Sequence, residues 1–135
     1  MQKITAPIID RVDFVLGMKN RRVFETSVGV PSEELRSIVK AARDRQRMRY
    51  GGNYTNAIVS IKLFEEMVRF SPTQLTRIET VSSEEKLSTW FSLKILRLSR
   101  TISDARGKDT VSDTAVDEAL NWKVQASRFH GSLMR

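Results

Sequence analysis

Residues 88–105 read STWFSLKILRLSRTISDA and form the longest helical pattern in the chain. Apolar residues recur in this stretch at spacings of three and four, which places them on one face of an α-helix. They are Phe91, Ile95, Leu98 and Ile102. Arg106-Gly107-Lys108 follows and is expected to end the helix. The stretch therefore predicts a long amphipathic helix inside a helical fold.

A helix is also predicted nearer the start of the chain, with Ser32 as its N-cap and Tyr50-Gly51-Gly52-Asn53 at its end. Glu33 and Glu34 in its first turn suit the positive end of the helix dipole. Its apolar residues again share one face, so we expect them to form a buried stripe. That stripe consists of Leu35, Ile38, Val39 and Ala42.

Three further patterns complete a predicted bundle of four to five helices. A second helix is expected from about Thr55 or Asn56 to Arg69, a short third helix follows the Ser71-Pro72 cap, and a fifth begins after Ser112. Inward-facing positions of the second and fifth helices are predicted to be Val59, Leu63, Phe64, Met67 and Val68, and then Ala115, Val116, Ala119, Leu120 and Val124. The fold class is therefore mainly α.

The first 31 residues have a different character. Polar and apolar residues alternate from Asp10 to Phe14, which is the period of a half-buried strand. Pro31 pushes the residue before it out of the helical region and so separates this part from the first helix. We predict a strand-like or irregular arm over residues 1–31, a helical domain over 32–128 and a flexible tail over 129–135.

Composition narrows the class of protein. Lysine and arginine number 23 against 16 aspartates and glutamates, a net charge of +7, which favours anionic partners. The chain has no cysteine, which excludes disulfides and thiolate sites. It has a single histidine, His130, so a metal cluster of several histidines is also excluded. Without a secretory signal or an apolar stretch of about 20 residues, we expect a cytoplasmic protein with no membrane partner.

Motifs that bind nucleotides or carry catalysis are missing from the sequence. It has neither a G-x-x-x-x-G-K-[ST] phosphate loop nor a G-x-G-x-x-G turn, and no Ser-His-Asp set can be assembled. Neighbouring carboxylates such as Glu65 and Glu66 fit solvated helix surfaces. A self-contained active site is therefore not expected.

Two basic rows are the remaining candidates for binding. Arg36, Lys40, Arg43 and Arg47 recur at spacings of four, three and four, which places them on one helix face. Lys94, Arg97 and Arg100 form a second row on the long helix. Either row could bind the phosphates of a nucleotide or of DNA, or could be an exposed flank whose stems cover apolar surface. A standalone nucleic-acid-binding module is the alternative function that the first row supports.

Four stretches of the chain are similar to motifs of one known family. Ile95–Asp104 is similar to "LLKVARTIAD", and Ile8–Asp13 to "LLDRFD". Ala41–Gln46 is similar to "AARERQ", and Val111–Ala119 to "ISxxHLxEA". The chain thereby resembles the magnesium-chelatase-like AAA+ ATPases, a family that includes the competence protein ComM. Order and approximate spacing agree from about Pro7 to about Lys123.

This resemblance implies a C-terminal lid domain, ComM-type, that folds over ATP held by the ATPase core of the same chain. It also implies neighbouring subunits in a ring as partners, with DNA as a further possibility and metal insertion as the activity of the chelatase relatives. ATP and Mg²⁺ are expected cofactors of a full-length ATPase, whereas these 135 residues alone are expected to be inactive and to hold neither.

The same resemblance assigns expected roles to a few residues. Arg11 matches the arginine proposed to act as an arginine finger in a neighbouring subunit, where it would offset charge on the γ-phosphate. The sensor-2 arginine of the family falls on Trp90, which has one N–H donor and no charge. Lys94, one turn further along, could contact phosphate as a point charge. Arg100 and Asp104 are expected to form a modest intrahelical ion pair.

Overall fold

The structure is a computed structural model that describes residues 14–16 and 29–133, with side chains as far as Arg128. Within these residues the chain forms five α-helices and no strand, so the mainly helical fold class is confirmed. The helices are α1 (Ser32–Tyr50), α2 (Ile61–Met67), α3 (Pro72–Glu84), α4 (Thr89–Ala105) and α5 (Asp113–Leu133). Most of the predicted arm lies outside the described residues.

Serine side chains cap four of the helices, and two of these caps, Ser71 and Ser112, were predicted from the sequence. Ser71 caps α3: its hydroxyl accepts a hydrogen bond from the Gln74 backbone N–H at 3.1 Å, and the Gln74 side chain accepts one from the Ser71 N–H at 3.0 Å. Ser88 caps α4 at 3.4 Å from the Phe91 N–H, and Ser112 accepts from the Ala115 N–H at 3.2 Å at the start of α5. The two predicted caps are local features that a single sequence reveals.

The predicted starts of the first two helices were wrong. Ser32 is the first residue of α1 and not its cap, since the N-cap is Pro31, whose side chain cannot accept a hydrogen bond. α2 begins only at Ile61, capped by Ser60. Residues 55–59 form a turn instead, because Arg97 binds the backbone carbonyls of Asn56, Ala57 and Val59, which a helix in this segment would need as acceptors.

The core forms around α4, which packs against α1, α3 and α5. Ile95 in the middle of α4 is fully buried and belongs to an apolar cluster to which all five helices contribute. The buried apolar cluster includes Val59, Phe64, Val68, Ile78, Val116, Ala119 and Leu120. Met67 was predicted to face inward but is exposed, because the short α2 turns only Phe64 and its neighbours toward the core.

The apolar stripe predicted for α1 is buried only in part. Ala42 is buried, but Leu35, Ile38 and Val39 are 49%, 39% and 50% exposed. All residues from Pro31 to Ala41 are exposed, whereas Ala42, Gln46 and Tyr50 are buried. The other helices therefore reach α1 only from Ala42 onward, and its first half projects beyond the bundle.

The last helix, α5, carries most of its predicted core residues. Ala115, Val116, Ala119 and Leu120 are buried and Val124 is half-buried. The helix continues to Leu133, past the point where the tail is predicted to begin. None of the helices in the described part of the chain is long and apolar enough to cross a membrane.

Candidate functional site

A buried carboxylate joins α1 to α4. The side chain of Asp104 has no exposed surface and accepts hydrogen bonds from both terminal nitrogens of Arg49, one of them at 2.9 Å. Arg100, one turn earlier on α4, lies 2.9 Å from the same carboxylate, and the Asn56 amide donates to it at 2.9 Å. Two guanidinium groups and one amide thus share a single buried negative charge.

The groups around this carboxylate are also bonded to one another. The side-chain oxygen of Asn56 accepts hydrogen bonds from the Tyr50 hydroxyl at 2.5 Å and from Arg49 at 3.2 Å. Arg100 turns its other donors to the backbone carbonyls of Lys108 and Asp109, at 2.6 and 3.0 Å. The network therefore holds together α1, the turn before α2, α4 and the loop that leads to α5.

Burial and charge act against each other in the pKa values of this network. Burial favours neutral arginine and lowers the pKa of Arg100, although the Asp104 charge opposes this. In Arg49 burial also acts to lower the pKa, but the hydrogen bonds and charge of Asp104 outweigh it and raise that pKa. Burial raises the pKa of the Tyr50 hydroxyl, against the opposing charge of Arg49. The neutral phenol is thus favoured in the folded domain.

The Arg100–Asp104 pair expected from the sequence is present, but its setting is not the expected one. A solvent-exposed pair four residues apart on a helix contributes about 0.3–0.5 kcal/mol. Removing one partner of a buried pair costs about 3–5 kcal/mol, because the other charge stays buried without compensation. The pair is therefore a structural tie, and sequence spacing alone did not indicate Arg49 as its third member.

Arg97 fastens α4 to the turn before α2. One terminal nitrogen donates to the backbone carbonyls of Asn56 and Ala57 at 2.9 and 2.5 Å, and the other to that of Val59 at 2.8 Å. The guanidinium carbon lies 5.7 Å from the centre of the Phe64 ring. The second predicted row thus separates: Arg97 and Arg100 bind backbone carbonyls, which corrects the idea of a three-residue phosphate row.

Lys94 and Trp90 lie together at the beginning of α4. Trp90 is 54% exposed, and the Lys94 ammonium lies 5.9 Å from the centre of its indole ring. Next to them is a partly open cavity of about 380 Å³, a volume within the usual range of small-ligand pockets. Its described lining residues are mainly apolar and include Phe14, Ile58, Leu93 and Leu98, and the charged ones are the cations Lys94, Arg97 and Lys123.

The first basic row is brought together as its spacing predicts. Arg36, Lys40, Arg43 and Arg47 line one open groove of about 410 Å³ on α1, with Leu35, Val39 and Asp44. Asp44 neutralises part of the row, because it lies 3.1 Å from Lys40 and 3.5 Å from Arg47. Arg36 and Arg43 form no ion pair with any described residue. Nucleic-acid binding by this row stays a prediction.

The described residues do not test the predicted roles of Arg11 and of Mg²⁺. Arg11, the predicted arginine finger, lies outside the described residues. The described Asp and Glu side chains form no group of three or more that could hold a metal ion. For ATP, Trp90 and Lys94 offer one aromatic face and one cation, which suits an outer contact and not a phosphate cradle.

The described residues thus form a bundle of five helices that is held together by a buried ion network. Residues 29–123 match the family of magnesium chelatase subunit ChlI C-terminal domains. This match covers more than half of the chain, and the chain belongs to that family. The resemblance read from the four sequence stretches is confirmed at this level, and its ComM-type assignment stays a prediction.

Three curated relatives match nearly the whole of this chain over a minor part of their own length. Three uncharacterized proteins, one from Mycobacterium bovis and two from strains of Mycobacterium tuberculosis, are each 28% identical over 130 residues. The alignment covers 93% of this chain and 26% of each relative, so the chain spans about a quarter of their length. No solved structure matches the chain.

Proposed function

We propose that this domain is the lid and assembly module of a cytoplasmic, ComM-type AAA+ ATPase. In this proposal an ATPase core in the same chain binds ATP and Mg²⁺, and the helical domain closes over the nucleotide. Ring neighbours are the other partners, and hydrolysis at one core moves the domain against the next subunit. The membership in the magnesium chelatase C-terminal family is the observation that carries the proposal.

The start of α4 is the part of the domain that we assign to the nucleotide. Trp90 stands in the position of the family's sensor-2 arginine and presents an exposed indole face. Lys94 brings a cation to the same face, 5.9 Å from the ring centre. An ammonium is a compact point charge without the two-pronged donor geometry of arginine, so coupling between lid and phosphate is weaker than an arginine would give.

The rest of α4 suits transmission of a movement. Arg97 binds three carbonyls of the turn before α2, and Asp104 binds Arg49 of α1. A displacement at the start of α4 is therefore passed to α1 through buried, charge-assisted bonds. In this proposal the domain moves as one rigid body and displaces the neighbouring subunit. Arg11 would contact the nucleotide bound by that subunit.

Steady-state ATP hydrolysis tests this proposal, measured on the protein that carries both the core and this domain. Lys94→Ala should lower turnover about tenfold or more, because a cation beside the phosphates contributes on the order of 1.4 kcal/mol or more to the transition state. Lys62→Ala, an exposed lysine on α2, is the matched control and should leave turnover unchanged. The 135-residue chain alone should not hydrolyse ATP. Hydrolysis by that chain, or equal turnover in both variants, would overturn the assignment.

A further inference from the structure

The first half of α1 presents an apolar face with no helix of the described bundle beneath it. Leu35, Ile38 and Val39 precede the buried residues Ala42 and Gln46 at helical spacings, so all five lie on the same side of α1. The side of α1 that is buried from Ala42 onward thus continues, exposed, for two turns toward the start of the helix. An apolar helix or strand of another molecule could pack on these exposed aliphatic side chains and bury them.

The neighbouring side of the same half-helix is basic. Arg36 and Arg43 are seven residues apart, which is about 10 Å along the helix axis. Both are exposed beside Leu35 and Val39, and neither forms an ion pair with a described residue. Lys40 lies between them and already pairs with Asp44 at 3.1 Å. The face therefore combines an apolar stripe with two cations two turns apart.

We propose that this face, Leu35, Arg36, Ile38, Val39 and Arg43, docks an acidic amphipathic helix of a partner protein. The partner helix packs its apolar stripe on the three aliphatic side chains and places carboxylates, two turns apart, against Arg36 and Arg43. Charge and shape together select this occupant. The proposal is independent of ATP and of the role assigned to the start of α4.

Two other anionic partners fit the face less well. A DNA backbone would contact the cations but would leave the three aliphatic side chains without an apolar counterpart. An anionic membrane would accept those side chains, but its charge is spread over a plane and also meets Glu33 and Glu34 in the first turn, whereas carboxylates two turns apart on a helix can be placed against Arg36 and Arg43 alone. A helix with apolar and acidic sides satisfies both halves of the surface.

Fluorescence anisotropy with a designed peptide tests the proposal on the 135-residue chain. The probe is a labelled peptide of about 18 residues, long enough to form a helix, with a leucine stripe and glutamates two turns apart along one flank. We expect it to bind, and we expect a peptide with lysine in place of glutamate, or serine in place of leucine, to bind at least about tenfold more weakly. Equal binding of all three peptides, or no binding of the acidic one, would refute the proposal.

Variants on the protein side separate this face from the rest of α1. Leu35→Ser with Val39→Ser, and Arg36→Glu with Arg43→Glu, should each weaken binding of the acidic peptide about tenfold or more. Met48→Ser and Lys62→Glu are the matched controls and should bind as the unchanged protein does, since Met48 is 86% exposed on another side of α1 and Lys62 lies on α2. Controls that lose binding equally would contradict the assignment of the face.

The same variants identify the competing occupants. The first competing probes are a labelled duplex DNA and vesicles of neutral lipid with one quarter anionic lipid. If the protein bound either of them more tightly than the peptide, and Arg36→Glu with Arg43→Glu abolished that binding, DNA or membrane binding would take the place of the proposal. So would a dimer, seen by light scattering, that Leu35→Ser with Val39→Ser dissolves. A melting temperature lowered by more than about 10 °C in the Leu35 and Val39 variant would show that the stripe belongs to the domain's own core and would also overturn the proposal.

Discussion

The two halves of α1 obey the same helical pattern and have different surroundings. From Ala42 to Tyr50 the helix is held by buried contacts, and Arg49 reaches the buried carboxylate of α4. From Ser32 to Ala41 every residue is exposed, including three aliphatic ones. The half that belongs to the domain thus brings one arginine, Arg49, to a buried carboxylate, whereas the half that projects leaves Leu35, Ile38 and Val39 in contact with solvent. Helical periodicity indicates a face, but only the neighbouring elements decide whether that face is buried.

The largest effect is expected in the buried half, from Asp104→Asn. This change leaves Arg49 and Arg100 close together with no compensating charge, and it should lower the free energy of unfolding by about 3–5 kcal/mol. Urea denaturation followed by circular dichroism measures it. Asp109→Asn is the control: Asp109 pairs with Arg45 at 2.9 Å but is 95% exposed, so the change should cost about 1 kcal/mol or less. Similar losses in the two variants would mean that the Asp104 network does not anchor α1.

A smaller effect is expected at Tyr50, and it depends on pH. Tyr50→Phe removes the hydrogen bond to Asn56, which keeps Arg49 as a donor, so the loss at neutral pH should be about 1 kcal/mol. Burial raises the pKa of Tyr50, so its contribution is fully present below the unfolded value of about 10 and is lost as the pH rises through the higher folded value.

Unfolding in urea at several pH values between neutral and strongly alkaline measures this loss. The unchanged domain and the Tyr54→Phe control should lose stability above about pH 10 more steeply than Tyr50→Phe does. Tyr54 is suitable because it is about half exposed in the same region of the chain. If Tyr50→Phe and Tyr54→Phe followed the same pH profile, Tyr50 would not be the buried group that we describe.

The smallest effect is expected in the exposed half. Leu35→Ser with Val39→Ser should change the free energy of unfolding by about 1 kcal/mol or less in total, because each side chain is already about half exposed. Ala42→Leu in the buried half should cost about 1–3 kcal/mol, since it adds bulk to a packed site. Removing apolar side chains from the exposed half of α1 should therefore cost less stability than adding one to the buried half. The reverse order would contradict it.

The sequence predicted what local chemistry determines. Ser71 and Ser112 cap their helices with their own side chains, as predicted, because each bond spans only three residues and so leaves a local pattern in the sequence. The start of α2 could not be predicted in the same way, because the carbonyls that a helix over residues 55–59 would use are bound by Arg97 of α4. Tertiary contacts overrode the helical pattern there.

The candidate site was predictable to a similar degree. The spacing of Arg36 and Arg43 correctly placed them on one face, since helical geometry alone decides this. The role of Arg97 was missed, because its partners are backbone carbonyls about 40 residues away, and carbonyls carry no sequence signal. Arg49 and Asp104 are separated by 55 residues, so no spacing rule could join them.

The central claim is that the start of α4 faces a nucleotide held by the core, and Trp90 can report on this. The contribution of Trp90 is measured on the protein that carries both the ATPase core and this domain. It is obtained by subtracting the emission of the Trp90→Phe variant from that of the unchanged protein. We predict that a non-hydrolysable ATP analogue with Mg²⁺ changes this difference in a saturable manner, because closure removes the indole from water. A Trp90 emission that stays the same at saturating analogue would contradict the claim.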